Sequence, residues 1–151
     1  MRVLVTGASG DFGSCIVPEV IGRGHEVVGL SRRRHSFPSP RYRHVSTDIR
    51  DAAAVAGAMS GVDAVIHLAW TTHPSHELEA TRAIDVGGTA AVLDAMQREG
   101  VSRLISASSV MAYGANADNP PRLVESDPLL PSRLQAYSVH KAEVEGLISA
   151  A

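Results

Sequence analysis

Two side chains four positions apart near the end of the chain, Tyr137 and Lys141, could share proton chemistry. A helical pattern runs from about residue 135 to the end, and residues four apart lie on one face of a helix. A tyrosine has an unperturbed pKa of about 10, and a nearby cation lowers that value by stabilising the tyrosinate. Lys141 is the only lysine among the 14 lysine and arginine residues. The pair is a candidate general acid/base site, although the same spacing also occurs on ordinary helix surfaces.

A serine that follows the predicted fifth strand, residues 103–108, could complete this chemistry. Open α/β sheets bind their ligands at the carboxyl ends of the strands, and Ser109 lies at that point. Its hydroxyl could hold a substrate oxygen while Tyr137 moves a proton. The following loop, residues 114–133, is rich in Pro and Asn. A loop of that length in a compact domain usually belongs to a functional segment.

The elements that must position these residues begin at the N-terminus. A short β-branched run ends in Gly7, Gly10 and Gly13, and a helical pattern follows directly. Gly7 permits a sharp turn, Gly10 leaves room for a phosphate, and Gly13 lets the helix pack close to the strand. The N-terminus of that helix attracts an anion. This context predicts a dinucleotide site, and glycines with a purely structural role in the turn are the alternative.

The residues after the second strand bear on the choice of cofactor. In a dinucleotide fold an acid at this point binds the ribose 2′-hydroxyl, whereas an arginine accommodates a 2′-phosphate. This chain has Ser31 followed by Arg32, Arg33 and Arg34, with no acid among them. We therefore predict that Arg32 favours NADP, with NAD as the second possibility. A solvated basic loop is the alternative interpretation.

The pattern of elements predicts one domain over residues 1–151. Five strands alternate with helices, which is typical of an α/β doubly wound parallel sheet with right-handed crossovers and strand order 3-2-1-4-5. The predicted strands are residues 2–6, 26–30, 42–46, 62–69 and 103–108, and the predicted helices are residues 11–23, 51–60, 77–98 and 135–151.

Four further polar side chains are considered as site residues. Asp48, after the third strand, could lie beside an adenine or close a turn. His67, within the fourth strand, is interpreted as a core histidine whose hydrogen bonds are satisfied. His73 and His76 lack a third cysteine, histidine or acid at metal spacing, so no metal site is predicted.

Charge and composition narrow the class of protein. The formal net charge is −2, which gives no basis for nucleic-acid binding. No apolar run is long enough for a membrane span or a signal peptide. The single cysteine, Cys15, fits a reducing compartment and is predicted to be a small buried helix residue. These observations favour a cytoplasmic protein.

Jointly these motifs resemble the N-terminal part of an extended short-chain dehydrogenase/reductase of the NAD(P)-dependent epimerase/dehydratase family, with a Rossmann-type fold. Residues 6–13 match its TGxxGxxG loop, residues 48–49 its adenine-contacting pair, residues 67–69 its fourth-strand motif, residues 108–109 with 113–114 its serine segment, and residues 137–141 its YxxxK motif. The resemblance implies catalytic roles for Ser109, Tyr137 and Lys141. With Arg32, the expected cofactor-binding residues are Gly7, Ser9, Gly10, Asp11, Phe12, Gly13, Asp48, Ile49, Leu68, Ala69 and Lys141, which is expected to bind the nicotinamide ribose.

The chain departs from the family pattern at two points. Asp85 stands where the family usually has asparagine, and the chain ends at Ala151 without the usual C-terminal strands and substrate region. The resemblance implies hydride exchange with a carbonyl or alcohol carbon of a small molecule, for example a nucleotide sugar. The alternative is a dinucleotide-binding module without turnover, or a fragment of a larger enzyme. A fifth strand left as an unpaired edge also predicts a homodimer.

Overall fold

The computed structural model describes residues 1–72, 77–117 and 119–151. Its centre is a parallel sheet with the order β3-β2-β1-β4-β5. This confirms the predicted α/β class and strand order. The His73 and His76 pair lies outside the described residues. The strands are β1 (Arg2–Thr6), β2 (Glu26–Ser31), β3 (Tyr42–Ser46), β4 (Ala64–His67) and β5 (Leu104–Ser106).

Helices cover both faces of the sheet and connect its strands, except between β2 and β3, where residues 32–41 form a loop without a helix. Asp51 caps the second helix, since its carboxylate accepts a hydrogen bond from the Ala54 N–H at 3.0 Å. Among the described residues, none of the helices is both long and apolar enough to cross a membrane. They are α1 (Asp11–Gly22), α2 (Ala52–Met59), α3 (Leu78–Arg82), a π-helical segment (Ala83–Gly87), α4 (Gly88–Glu99), a 3₁₀ helix (Val110–Tyr113) and α5 (Ala136–Ala150).

The first strand is buried on both sides, which explains its continuous apolar sequence. Val5 belongs to a cluster on one face that includes Val17 of α1. Leu4 points to the other face and belongs to a cluster with Val55 of α2 and Val92 of α4. A strand covered on both faces is typical of the centre of a parallel sheet. The loop that follows β1 therefore starts from a fixed support.

The fourth and fifth strands are shorter than predicted, and side chains join the hydrogen bonding at their carboxyl ends. After β4, the N–H groups of Leu68 and Ala69 both donate to the Thr6 hydroxyl at 3.1 Å. The Leu68 N–H also donates to the backbone carbonyl of Thr6 at 3.2 Å. After β5, the carbonyl of Ala107 accepts a hydrogen bond from the Lys141 ammonium at 2.6 Å. Both strands therefore stop where the chain begins to form the site.

The predicted long helix, residues 77–98, is not a single α-helix. A π-helical segment separates α3 from α4 and contains Asp85, which is only 2% exposed. Hydrogen bonds from Thr71 and His140 to the Asp85 carboxylate accompany this wider turn. Single π turns within α-helices are frequent at functional sites.

The prediction that Cys15 is buried is wrong, because its side chain is exposed. The buried positions of α1 are Gly13 and Val17. Cys15 lies two residues from each of them, which places it on the opposite side of the helix.

Candidate active site

The loop between β1 and α1 has the geometry expected of a phosphate-binding turn. Gly7 has a φ of +68°, and a Cβ there would lie 2.8 Å from the backbone of Leu68 and Ala69. A Cβ at Gly13 would overlap the carbonyl oxygen of Gly7. No described side chain caps α1 at Gly10. The first N–H groups of α1 thus remain available to water or an anion.

A cleft of about 880 Å³ lies beside this loop, at the carboxyl ends of β1, β2 and β4. Its lining includes every residue predicted to bind the cofactor except Lys141. Trp70 and Thr71 also line the cleft. The predicted residues among the lining are Gly7, Ser9, Gly10, Asp11, Phe12, Gly13, Arg32, Asp48, Ile49, Leu68 and Ala69.

At one end of the cleft, the segment after β2 is held by two serine hydroxyls. Ser46 donates to the carbonyl of Arg32, and Ser31 donates to the carbonyl of Arg33, both at 3.0 Å. Asp48 accepts hydrogen bonds from the backbone and guanidinium of Arg50 at 2.9–3.0 Å, and these contacts lower its pKa to about 2. Asp48 thus closes a turn while it also lines the cleft.

Lys141 lies in an unusual environment for a lysine, since it is only 3% exposed. Its ammonium donates to the Ala107 carbonyl at 2.6 Å and lies 3.4 Å from the centroid of the Trp70 ring. Burial lowers the pKa of Lys141 to about 8, and the nearby carboxylates of Asp85 and Glu145 partly oppose that shift. The side chain therefore still carries a charge at pH 7.

The structure brings Tyr137 next to this cation. The Lys141 ammonium is 5.7 Å from the centroid of the Tyr137 ring. The Trp70 and Tyr137 rings pack in a T-shaped arrangement, with their centroids 5.9 Å apart. Tyr137 is 39% exposed, so a substrate could reach it. The prediction that Tyr137 and Lys141 lie on one helix is confirmed, since both belong to α5.

Ser109 lies after β5, as predicted, and its hydroxyl accepts a hydrogen bond from the Met111 N–H at 3.2 Å. It is the N-cap of the 3₁₀ helix. Ser138 of α5 donates to the Met111 carbonyl at 2.6 Å and accepts from the Ser132 N–H at 2.9 Å. The segment that carries Ser109 is therefore tied to the helix that carries Tyr137.

Below the site, a series of buried hydrogen bonds connects the side chains of Thr6, His67 and Thr89. The Thr6 hydroxyl already accepts two N–H groups, so its proton must be donated to His67 Nδ1, 2.7 Å away. His67 therefore carries its proton on Nε2 and donates it to Thr89 at 3.0 Å. The Thr89 hydroxyl donates to the Asp85 carbonyl at 2.6 Å. This confirms His67 as a core histidine with satisfied hydrogen bonds.

The protonation of His67 should make the stability of the fold depend on pH. Burial and the Lys141 charge lower the pKa of His67 from 6.5 to about 4. As the pH falls, the unfolded chain therefore binds a proton at this histidine before the folded chain does. The contribution of the neutral histidine to the free energy of unfolding is fully present above pH 6.5 and is lost as the pH falls towards 4. We expect up to about 3 kcal/mol of loss from this group. Urea unfolding at several pH values measures it.

The matched variant for this prediction is His67→Asn, which cannot titrate in this range. Its free energy of unfolding should change less between pH 7 and pH 5 than that of the parent chain. Equal slopes in the two proteins would contradict the assignment of this pH dependence to His67.

A second buried pair joins three elements of the site. One oxygen of the Asp85 carboxylate accepts the Thr71 N–H at 2.8 Å, and the other lies 3.0 Å from His140 Nδ1. Both side chains of the pair are almost fully buried. Since His140 directly precedes Lys141, this contact links the π-helical segment and the residues after β4 to the lysine's helix.

Several of these residues were not identified from the sequence. Trp70 directly follows the fourth-strand motif, and its position beyond the carboxyl end of a strand is the signal that could have identified it. Asp85 is marked by its departure from the family pattern, but no local signal pointed to His140 or Thr89 as partners. Within the described residues, no three Asp, Glu, His or Cys side chains are grouped as a metal site.

The parallel sheet, the glycine turn before α1 and the cleft beyond the strand ends are the features of a Rossmann-type α/β domain. The sequence profile of the NAD dependent epimerase/dehydratase family matches residues 3–151. The chain belongs to this family, which confirms the resemblance found in the sequence.

Three similar proteins show how much of a family member this chain spans. It is 35% identical to a dTDP-glucose 4,6-dehydratase of Mycolicibacterium smegmatis, covering 99% of this chain and 48% of that protein. A short-chain dehydrogenase/reductase superfamily protein from Agrobacterium tumefaciens, crystallised with bound NAD, has a TM-score of 0.87 and 30% identity over 98% of this chain and 44% of that one. MoeE5 in complex with UDP-glucose and NAD has a TM-score of 0.84 and 31% identity, covering 99% of this chain and 48% of that one. The chain spans about half the length of each.

Proposed function

We propose that this chain is the dinucleotide-binding part of an NAD(P)-dependent oxidoreductase that acts on a carbonyl or alcohol carbon through Ser109, Tyr137 and Lys141. A nicotinamide dinucleotide, when bound, supplies the acceptor or donor of hydride. The observation that carries the proposal is the buried, charged Lys141 beside the exposed Tyr137, both in contact with Trp70, which lines the cleft.

The residues of the cleft fit a dinucleotide. The turn at Gly7 and Gly13 has no room for a Cβ, and the uncapped N-terminus of α1 can receive a pyrophosphate. Arg32 and Asp48 line the cleft after β2 and β3 and would lie near the adenosine. Lys141 would hold the nicotinamide ribose at the opposite end.

The proposed roles in proton transfer follow from the chemistry of the three side chains. The Tyr137 hydroxyl gives a proton to the substrate oxygen or takes one from it. The Lys141 ammonium favours the tyrosinate by its charge. The Ser109 hydroxyl donates a hydrogen bond to the same substrate oxygen and fixes its position.

Calorimetric titration with NAD⁺ and NADP⁺ tests the cofactor part of this proposal. Gly13→Ala should abolish binding, because the added Cβ would overlap the Gly7 carbonyl oxygen. Gly57→Ala is the matched control, since a Cβ at that position of α2 meets no other atom within 4 Å. Absence of heat with the parent chain, or unchanged binding in Gly13→Ala, would contradict the proposed site.

We further propose that NADP binds more tightly than NAD. A charge-assisted contact between Arg32 and the 2′-phosphate contributes about 1.5–3 kcal/mol, or roughly ten- to a hundredfold in affinity. Arg32→Ala should remove this preference. Arg34→Ala should keep it, because Arg34 is not among the described residues that line the cleft. Equal dissociation constants of the parent chain for the two cofactors would refute the preference.

For the substrate we propose a nucleotide sugar. The support is that one similar structure contains UDP-glucose with NAD, and that a similar enzyme is named as a dTDP-glucose dehydratase. Following the absorbance of the reduced nicotinamide with a panel of nucleotide sugars tests this.

The expected homodimer, cytoplasmic location and absence of a metal stay predictions.

The second candidate is a dinucleotide-binding module without turnover. It is favoured by the position of Lys141, which lies under the Trp70 ring and is not among the described residues that line the cleft. Cofactor binding without hydride exchange, for any substrate of the panel, would support this candidate over the enzyme.

A further inference from the structure

The side chain of Trp70 lies between the dinucleotide cleft and the proposed catalytic lysine. Trp70 lines the cleft, whereas Lys141 and Tyr137 are not among its described lining residues. The ammonium of Lys141 is 3.4 Å from the centre of the indole, which places it directly over the ring face. With Lys141 only 3% exposed, a ribose in the cleft cannot reach the ammonium past this ring.

Two contacts hold the ammonium of Lys141 while the ring stays in place. One N–H donates to the Ala107 carbonyl, and the indole covers another side of the ammonium. A cation over a tryptophan face is a favourable contact, and it becomes stronger when water is excluded. The ring therefore holds the lysine and blocks it at the same time.

Within the described part of the chain, no hydrogen bond anchors the indole. Its Nε1 is buried, and no acceptor for it is found among the described residues. A buried donor without a partner is unfavourable, so a rotation that brings Nε1 to water or to a ligand gains a hydrogen bond and breaks none. The same rotation would also separate the indole from the Tyr137 ring, whose centroid is 5.9 Å from that of the indole.

We propose that Trp70 is a positioning residue for Lys141 that the dinucleotide displaces. In the conformation described here the indole holds the ammonium, and on binding the nicotinamide ribose takes the place of the ring beside Lys141. This inference rests on the proposed function, because it needs Lys141 to bind the ribose.

Trp70 is the only tryptophan in the chain, so its fluorescence reports this movement directly. Emission is excited at the red edge of tryptophan absorption, where the oxidised dinucleotides do not absorb. Titration with NAD⁺ or NADP⁺ should change the emission and make Trp70 more accessible to quenching by acrylamide. AMP, which can fill only the adenosine end of the cleft, should leave both unchanged.

Affinity gives a second measurement. Trp70→Ala removes the group that competes with the ribose for Lys141, so NADP⁺ should bind about two- to thirtyfold more tightly. Trp70→Phe keeps a ring that attracts the cation less strongly. Its affinity for NADP⁺ should therefore lie between those of the parent chain and Trp70→Ala. Circular dichroism and thermal unfolding establish that both variants are folded.

The outcomes separate this inference from the proposed function. Binding of the dinucleotide to the parent chain with unchanged emission and quenching overturns the displacement of Trp70 and leaves the cofactor site intact. Weaker binding by folded Trp70→Ala also overturns it, because the ring would then be a contact of the bound state. Absence of any dinucleotide binding overturns both proposals.

Discussion

Replacement of Tyr137 by phenylalanine is expected to reduce turnover by about 10²–10⁴. The substitution keeps the ring beside Trp70 and Lys141 but removes the proton that the substrate oxygen must exchange. Dinucleotide affinity should stay nearly unchanged, because the hydroxyl is assigned to the substrate. Steady-state kinetics and calorimetry, in a protein that contains this chain and a substrate region, measure the two quantities separately.

Three further variants test whether the residues around Tyr137 have separate roles in turnover and in cofactor binding. Ser109→Ala should lower turnover alone, whereas Lys141→Ala should lower both turnover and cofactor affinity. Tyr42→Phe is the matched control, since Tyr42 lies on β3 and its hydroxyl contacts His44. A Tyr137→Phe protein with full activity would refute the proposed mechanism.

Replacement of Asp85 by alanine is expected to destabilise the fold by about 3–5 kcal/mol. The carboxylate is buried and serves two partners, the N–H of Thr71 and Nδ1 of His140. Alanine would leave both without an acceptor and would open a gap beside α5. Urea unfolding measures the change in the free energy of unfolding.

Asp85→Asn separates the hydrogen bonds from the charge. An amide can accept the Thr71 N–H and donate to His140 Nδ1 in its other tautomer, so this variant should lose much less stability than Asp85→Ala. Asp94→Ala is the control, because the exposed pair of Asp94 with Arg98 should contribute about 0–1 kcal/mol. Equal stability of Asp85→Ala and the parent chain would contradict the role of the buried pair.

Much of the fold could be predicted because its signals are local. The apolar run of β1, the glycine spacing that follows it and the alternation of strands with helices determine the parallel sheet and its order. The same locality explains why the residues predicted around the cleft lie together: they occupy the carboxyl ends of neighbouring parallel strands.

The remaining features depend on contacts between distant residues, which periodicity does not reveal. Beyond the end of β4, the Thr6 side chain accepts hydrogen bonds from the N–H groups of Leu68 and Ala69. The π turn accompanies a pairing of Asp85 with His140, and the burial of Lys141 depends on Trp70. Each of these contacts joins residues on different elements, so a pattern along one element could not predict it.

The hydrogen bonds through Thr6, His67 and Thr89 also constrain how this sequence can evolve. Every proton in that chain is donated in one direction, from Thr6 through His67 and Thr89 to the carbonyl of Asp85. A change at one position leaves a neighbour with a buried donor or acceptor that has no partner, and selection would act against it. Viable substitutions at Thr6, His67 and Thr89 should therefore occur together in divergent sequences, as a correlated set and not as three independent changes.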